Sequence, residues 1–249
     1  MTLRLALLSA LLGPALATAC TGSAPANGSA KGAASDSTTQ AAAPAAAPAA
    51  GAAAGAASAD PDQTVGGNGV PAGFVGRTDE AGSPISGAKY TPAGNGTWDV
   101  RTGPAHILYS PTMVGHDHYT VDAKVDQMEA PHHPEAYGIF VGGAQLDGPG
   151  QTYTYFLVRG DGMYSVKVRK GDDARTITPF TANAAVPKAD ATGHASYALR
   201  AMVTPDLVRF YVNGQLVAME ERKEVPADGI AGVRINHNLH VVLTPATLK

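Results

Sequence analysis

Acidic and imidazole side chains gather at three places along this 249-residue chain. One is Asp122-Ala123-Lys124-Val125-Asp126-Gln127-Met128-Glu129, where Asp122 and Asp126 share a face of an alternating strand, with Lys124 between them and Glu129 on the other side. Two carboxyl groups break a glycosidic bond only if they flank it and one stays protonated. Acids alternating with an ammonium read more simply as a solvated strand face. A second gathering is split: His116-Asp117-His118 and Pro131-His132-His133-Pro134-Glu135 bracket that same strand. His116 and His118 share a side, as two metal ligands on a strand do, and Glu135 offers a third donor of the N/O type. A strand of roughly ten residues holds the two clusters about 30 Å apart, so one site cannot use both. No metal and no other cofactor is assigned on this basis. The third gathering is Asn236-His237-Asn238 with His240, leading directly out of a core-type strand. It fits an asparagine-capped turn at least as well as a site at the end of a sheet.

A different chemistry is offered by aromatic and basic residues interleaved with apolar ones. Tyrosine presents an apolar ring to the CH face of a sugar and a hydroxyl to its oxygens, and arginine presents a fork of donors. Tyr155, Arg200, Arg209, Tyr211 and Arg234 are the predicted ligand-binding residues, on the premise that their strands adjoin in one sheet face. Arg159, Lys167 and Arg169 belong to the same polar set, although arginine and lysine are also the ordinary occupants of a solvated sheet face. The net charge of −3 excludes a strongly basic surface and hence a nucleic-acid partner.

The elements that must position these residues are strands. In the stretch 197–219, Tyr197, Leu199, Ala201 and Val203 alternate with Ala198, Arg200 and Met202, and Val208, Phe210 and Val212 alternate with Leu207, Arg209 and Tyr211. Asn213-Gly214 accepts positive φ at both central positions of a type I′ turn, so the stretch is a three-strand antiparallel meander. Short alternating runs recur at 97–101, 106–109, 119–129, 136–141, 152–159, 163–169, 176–181, 230–236 and 239–243, separated by Gly, Asp, Asn and Pro turns. No segment keeps a helical period. The fold class is therefore all-β, an antiparallel β-sandwich of the jelly-roll kind over residues 62–249. Residues 62–89 read as an irregular lead-in anchored by Phe74 and Tyr90.

The ordered series Tyr137-Gly138-Ile139-Phe140, Tyr155-Phe156-Leu157-Val158-Arg159 with Asp161-Gly162, Phe210-Tyr211-Val212-Asn213-Gly214 and Gly229-Ile230-Ala231-Gly232-Val233-Arg234-Ile235-Asn236-His237 resembles the concanavalin A-like lectin/glucanase superfamily. Its laminin G-like and 3-keto-disaccharide hydrolase branches are the nearest in pattern. The resemblance implies a jelly-roll sandwich and a carbohydrate or other envelope ligand. It leaves open a hydrolase, with Asp122, Asp126 or Glu135 as its acids, and a structural surface role. The close carboxylate spacing of the superfamily's glucanases is absent, which favours binding.

Ahead of the sandwich, Arg4, the apolar run 5–12 and the small residues Ala17-Thr18-Ala19 precede Cys20, the single cysteine of the chain. The apolar run is too short to span a bilayer. The pattern resembles the lipobox of bacterial lipoproteins, with Ala17 where leucine is usual. It implies a signal peptide over residues 1–19, a lipidated Cys20, and an Ala/Pro/Gly/Ser tether over 20–61 too poor in large apolar groups to fold. The expected partners are thus a membrane, through the lipid, and a glycan. The expected location is the cell envelope, at the outer membrane or cell surface. Cys20→Ser is predicted to shift the protein from the detergent phase to the aqueous phase in a partitioning assay. Unchanged partitioning would remove the anchor.

Overall fold

The computed structural model describes residues 61–80 and 82–249; Cys20 and the tether lie outside them. In chain order the strands are β1 (Val75–Thr78), β2 (Lys89–Gly94), β3 (Thr97–Arg101), β4 (His106–Gly115), β5 (Tyr119–Gln127), β6 (Ala136–Ala144) and β7 (Thr152–Arg159). They continue with β8 (Met163–Lys170), β9 (Asp173–Ala182), β10 (Ala195–Val203), β11 (Leu207–Val212), β12 (Gln215–Glu221), β13 (Gly229–Ile235) and β14 (His240–Leu248). Two seven-stranded antiparallel sheets result. Sheet I runs β1-β4-β13-β6-β7-β8-β9 and sheet II runs β12-β11-β10-β5-β14-β3-β2.

The period-2 pattern of β10 and β11 does what a half-buried strand requires. Tyr197, Leu199, Ala201, Val203, Val208, Phe210 and Val212 enter the core between the sheets, while Arg200, Arg209 and Tyr211 point away from it. Phe210 of sheet II stacks on Phe156 of sheet I with ring centroids 4.9 Å apart and planes within 8°. Asn213 (φ 50°) and Gly214 (φ 81°) make the turn between β11 and β12 with both residues left-handed. Where β6 meets β7, Gly138 lies so close to the neighbouring strand that a Cβ would sit 1.8 Å from the Phe156 carbonyl oxygen, which leaves room only for glycine.

The two sheets differ in their outer faces. Sheet II has the expected solvated face, with Asp122, Lys124, Asp126 and Arg200 on it. The middle of sheet I, β6, β7 and β13, is buried on both sides, whereas β9 at its edge is largely exposed. Ile107, Tyr109, Phe140, Tyr153, Tyr155 and Leu157 form a second apolar cluster on its far face, covered in part by Leu146. The cover comes from chain that alternation alone does not place. Residues 62–89 are more than an irregular lead-in: β1 adds an edge strand beside β4, and β2, which begins at Lys89, adds one beside β3. From β1, Arg77 Nη1 donates to the Leu146 and Gly148 carbonyl oxygens at 2.8 Å each, which ties the loop after β6 down over the sheet. Tyr90 is buried and Phe74 packs edge-on against Trp98 at 6.1 Å, so both expected anchors hold.

Phe210→Ala removes a fully buried ring and its stacking partner's contact, and is expected to cost about 3–5 kcal/mol. Urea denaturation of the variant measures it; a loss below about 1 kcal/mol would contradict this packing.

Candidate functional site

The second apolar cluster of sheet I surrounds a charge. Arg234, in the middle strand β13, is almost wholly buried, and its guanidinium lies 4.9 Å over the Tyr155 ring. Nη1 and Nη2 donate to the two carboxylate oxygens of Asp79 at 2.7 and 2.5 Å, a bidentate pair, and Nη1 also reaches the Tyr153 hydroxyl at 3.3 Å. Arg169 adds a donation from Nη2 to the Asp79 carbonyl oxygen at 3.3 Å. Burial by itself would raise the Asp79 pKa. The hydrogen bonds and charge of Arg234, with Arg169 behind, outweigh it and hold the carboxyl below its ordinary value. Tyr155 and Arg234 therefore belong to one largely buried network at the edge of a cleft. The two terminal guanidinium nitrogens of Arg234 are committed to Asp79 and its plane to the Tyr155 ring, while Arg234 Nε has no hydrogen-bond partner among the described residues.

At the end of sheet I, where β13 runs out, the loops converge. Glu135, nearly buried just before β6, lies with its Oε1 2.8 Å from His237 Nε2 and 3.0 Å from His133 Nδ1. Its Oε2 accepts from Asn236 Nδ2 at 3.0 Å. Asp62 Oδ1 sits 3.5 Å from the other nitrogen of His237, Nδ1. Beside this cluster lies a cleft of about 250 Å³, lined by Asp62, Asp79, Glu80, Asn236 and His237 among others. The clustering of Glu135 differs from that expected of a metal set with His116 and His118. Its histidine neighbours are His133 and His237. His116 instead lies 4.0 Å from Asp228, at exposed side chains.

On sheet II the polar residues form a row across neighbouring strands. Leu216 pairs with Tyr211, Tyr211 with Arg200, Arg200 with Asp122, and Asp122 with Thr247. Met219, Arg209 and Met202 make a second, parallel row. Arg200 Nε and Nη2 grip Asp122 at 2.6 and 3.2 Å, and Lys249 Nζ donates to the same carboxylate at 3.1 Å. The Arg200 hydrogen bond, chiefly, holds the Asp122 carboxyl below the usual carboxylate range. The side chain of Arg209 makes no hydrogen bond or ion pair among the described residues. Together Asp122, Arg200, Met202 and Tyr211 line a shallow depression of about 270 Å³.

The five residues read from the sequence as one binding face thus fall into two groups. Arg200, Arg209 and Tyr211 are neighbours on the open face of sheet II. Tyr155 and Arg234 stand on the far face of sheet I, in strands separated by β6. The premise that their four strands adjoin is corrected, because period-2 patterning assigns a residue to a face of its strand without assigning the strand to a sheet. The acids fare similarly. Asp122 and Asp126 are four residues apart on one strand, about 13 Å, which is beyond the separation that lets two carboxyl groups flank one glycosidic bond. Asp126 is paired with Lys124 at 3.0 Å. Asp79 and Asp62, which complete the two sites of sheet I, escaped notice because they lie in a segment with no strand pattern.

The sandwich is the concanavalin A-like fold. It is similar to the carbohydrate binding module CBM66 from Bacillus subtilis, with a TM-score of 0.52 at 11% identity over 71% of this chain and 95% of the module. It is also similar to a glycoside hydrolase family 16 endo-glucanase from Bacteroides ovatus, with a TM-score of 0.50 at 7% identity over 71% of this chain and 94% of the enzyme. No protein-family model and no curated protein matches the sequence. At these identities the likeness establishes the fold that lectins and glucanases share.

Asp79→Asn leaves Arg234 buried without its counter-charge and is expected to destabilise the domain by about 3–5 kcal/mol. Asp126→Asn, which breaks only a surface pair, is expected to cost less than about 1 kcal/mol. Because Asp79 titrates below its unfolded value, its contribution is complete at neutral pH and is lost as pH falls through the folded pKa. Urea denaturation at pH 7 compares the two variants; equal losses would contradict the role given to Asp79.

Proposed function

We propose that this chain is a lipid-anchored protein of the bacterial cell envelope whose sandwich binds a carbohydrate through the open face of sheet II. The observation that carries the reading is the row Tyr211–Arg200–Asp122, flanked by Arg209. The middle of the other sheet is covered, whereas this row is solvent-facing and already ordered by the bidentate pair, so a ligand meets fixed donors and acceptors. Tyr211 offers a ring for the CH face of a sugar. Asp122 and Arg200 offer an acceptor and a donor side by side for vicinal hydroxyls. The guanidinium of Arg209 suits a saccharide carrying a carboxylate, since charge-assisted hydrogen bonds exceed neutral ones.

The anchor part of the proposal rests on the small residues before Cys20 and on the Ala/Pro/Gly/Ser composition of the segment after it. No helix among the described residues is long and apolar enough to cross a membrane. A tether between lipid and sandwich fits a domain that must reach a ligand beyond the bilayer. Binding is favoured over hydrolysis because Asp122 is held ionised by Arg200, whereas a general acid must keep its proton.

A glycan array including neutral and uronate-containing oligosaccharides, probed with the detergent-solubilised protein, tests the reading. Retention of at least one glycan is expected, with Arg209→Ala and Tyr211→Ala each weakening it roughly three- to tenfold, as loss of one aromatic or one charged contact implies. Melting temperature should stay unchanged in both. No retained glycan, or retention indifferent to both substitutions, would overturn the proposed face. Release of reducing sugar on incubation would replace binding by catalysis.

A further inference from the structure

The loop-end cluster of sheet I lies outside the proposed carbohydrate face and has a chemistry of its own. Its donors are two imidazole nitrogens and one carboxylate oxygen, a set that borderline divalent cations prefer over calcium or magnesium. His133 Nδ1 and His237 Nε2 converge on Glu135 Oε1 at 3.0 and 2.8 Å, and the three atoms all lie within 4.8 Å of one another. Around an ion with bonds of about 2.0–2.2 Å, tetrahedral ligands stand roughly 3.3–3.6 Å apart. The two separations to Glu135 Oε1 would have to widen by about 0.3–0.8 Å to admit the ion, and the His133–His237 separation lies below 4.8 Å. Pro131 and Pro134 flank the His132-His133 pair and restrict the backbone that presents His133.

Hydrogen bonding alone leaves a conflict in this cluster. If neutral His237 donates from Nε2 to Glu135, its Nδ1 carries a lone pair, yet Nδ1 faces the Asp62 carboxylate at 3.5 Å. Two lone pairs then oppose each other. The conflict disappears if Nδ1 bears the hydrogen and Nε2 is bound to a cation. Asp62 then becomes the carboxylate that orients a metal-bound histidine from behind. Asp62 is itself steadied by Ser83 Oγ, which donates to Oδ2 at 3.1 Å, and Asn236 holds the free oxygen of Glu135 at 3.0 Å. A second proton on His237 would also remove the conflict, and the experiment below separates the two.

We propose that His133, Glu135 and His237 bind a divalent transition-metal ion of the zinc class, with Asp62 and Asn236 as supporting groups. Three protein ligands leave at least one coordination position for water or a ligand group. The side chains of His133 and His237 are 39% and 25% exposed, so that position is reached from solvent. His237 and Asp62 also line the adjoining cleft. The arrangement is that of an exchangeable site rather than a closed structural one.

Isothermal titration of zinc chloride into the full-length protein, stripped with chelator and held in detergent at pH 7.5, tests this directly. One ion per chain is expected, and cobalt(II) in place of zinc should give the visible absorption of a low-coordinate site. His133→Ala, a partly exposed position whose melting temperature should barely change, is expected to weaken zinc binding at least tenfold. Asp62→Asn is expected to weaken it 10- to 100-fold while leaving stoichiometry intact. His116→Ala is expected to change nothing. Affinity should fall as pH drops below about 6.5, because bound imidazoles must be unprotonated. Failure to take up one ion per chain, or equal uptake by the His133→Ala/His237→Ala double variant, would overturn the site. A doubly protonated His237 ring at pH 7.5 in the zinc-treated protein, seen by nitrogen NMR, would do the same and assign the cluster to hydrogen bonding.

Discussion

A guanidinium buried in the middle of a sheet sets the terms for half of this molecule. Arg234 projects from β13 into a layer of Tyr153, Tyr155 and neighbouring apolar side chains, where an unpaired charge would cost several kcal/mol. Its counter-ion cannot come from β6, whose residues there are glycine and apolar. It comes from Asp79, just beyond β1, so the segment ahead of the sandwich must fold onto sheet I for the charge to be satisfied. That docking has two consequences. It closes the outer face of sheet I together with the loop tied by Arg77, and it carries Asp62 to the edge of the His133–Glu135–His237 cluster. One ion pair thus links the fold of the lead-in to the geometry of the loop end.

Cover over the middle of sheet I leaves the face of sheet II as the broader open sheet surface, on which the proposed binding rests. The fold is shared by proteins that hold carbohydrates and by proteins that cut them, so the site must be argued from side chains. The face of sheet II is rigid because β5, β10 and β11 are paired along their length, and its inward residues are packed. Polar groups standing on such a surface keep their spacing without a ligand, which reduces the ordering cost of binding. Asp122 is shared by Arg200 and Lys249, which leaves the group a net positive charge, and the Arg209 side chain, unpaired among the described residues, adds a second cation beside it.

The strand pattern was legible from local sequence because alternation is a property of a strand and its two faces. β7 and β11 begin and end at the residues where the alternation does, and the Asn213-Gly214 turn is read directly from residue type. Partnership between distant strands was not legible. Arg200 and Tyr211 alternate with core residues, whereas Tyr155 lies in the continuous run Tyr155-Phe156-Leu157-Val158, the pattern of a strand covered on both faces. That pattern does not say which distant segment supplies the cover. The same limit hid the loop-end cluster: Glu135 and His237 are 102 positions apart, and Asp79 and Arg234 155. His133 stood out only as half of a His-His pair. The one available signal was that Asn236-His237-Asn238 leaves a core strand, which places His237 at a sheet end.

The proposed division of the sandwich into a covered sheet and an open, ligand-facing sheet is tested most directly by mapping a bound oligosaccharide with backbone amide NMR. Saturating the isotope-labelled protein with a glycan that it retains should shift resonances of β10 and β11 around Arg200, Arg209 and Tyr211, together with Asp122 of β5. The amides of Tyr153, Tyr155 and Arg234 should remain still. Shifts concentrated on β7 and β13, with the sheet II row unmoved, would contradict the division and with it the proposed face.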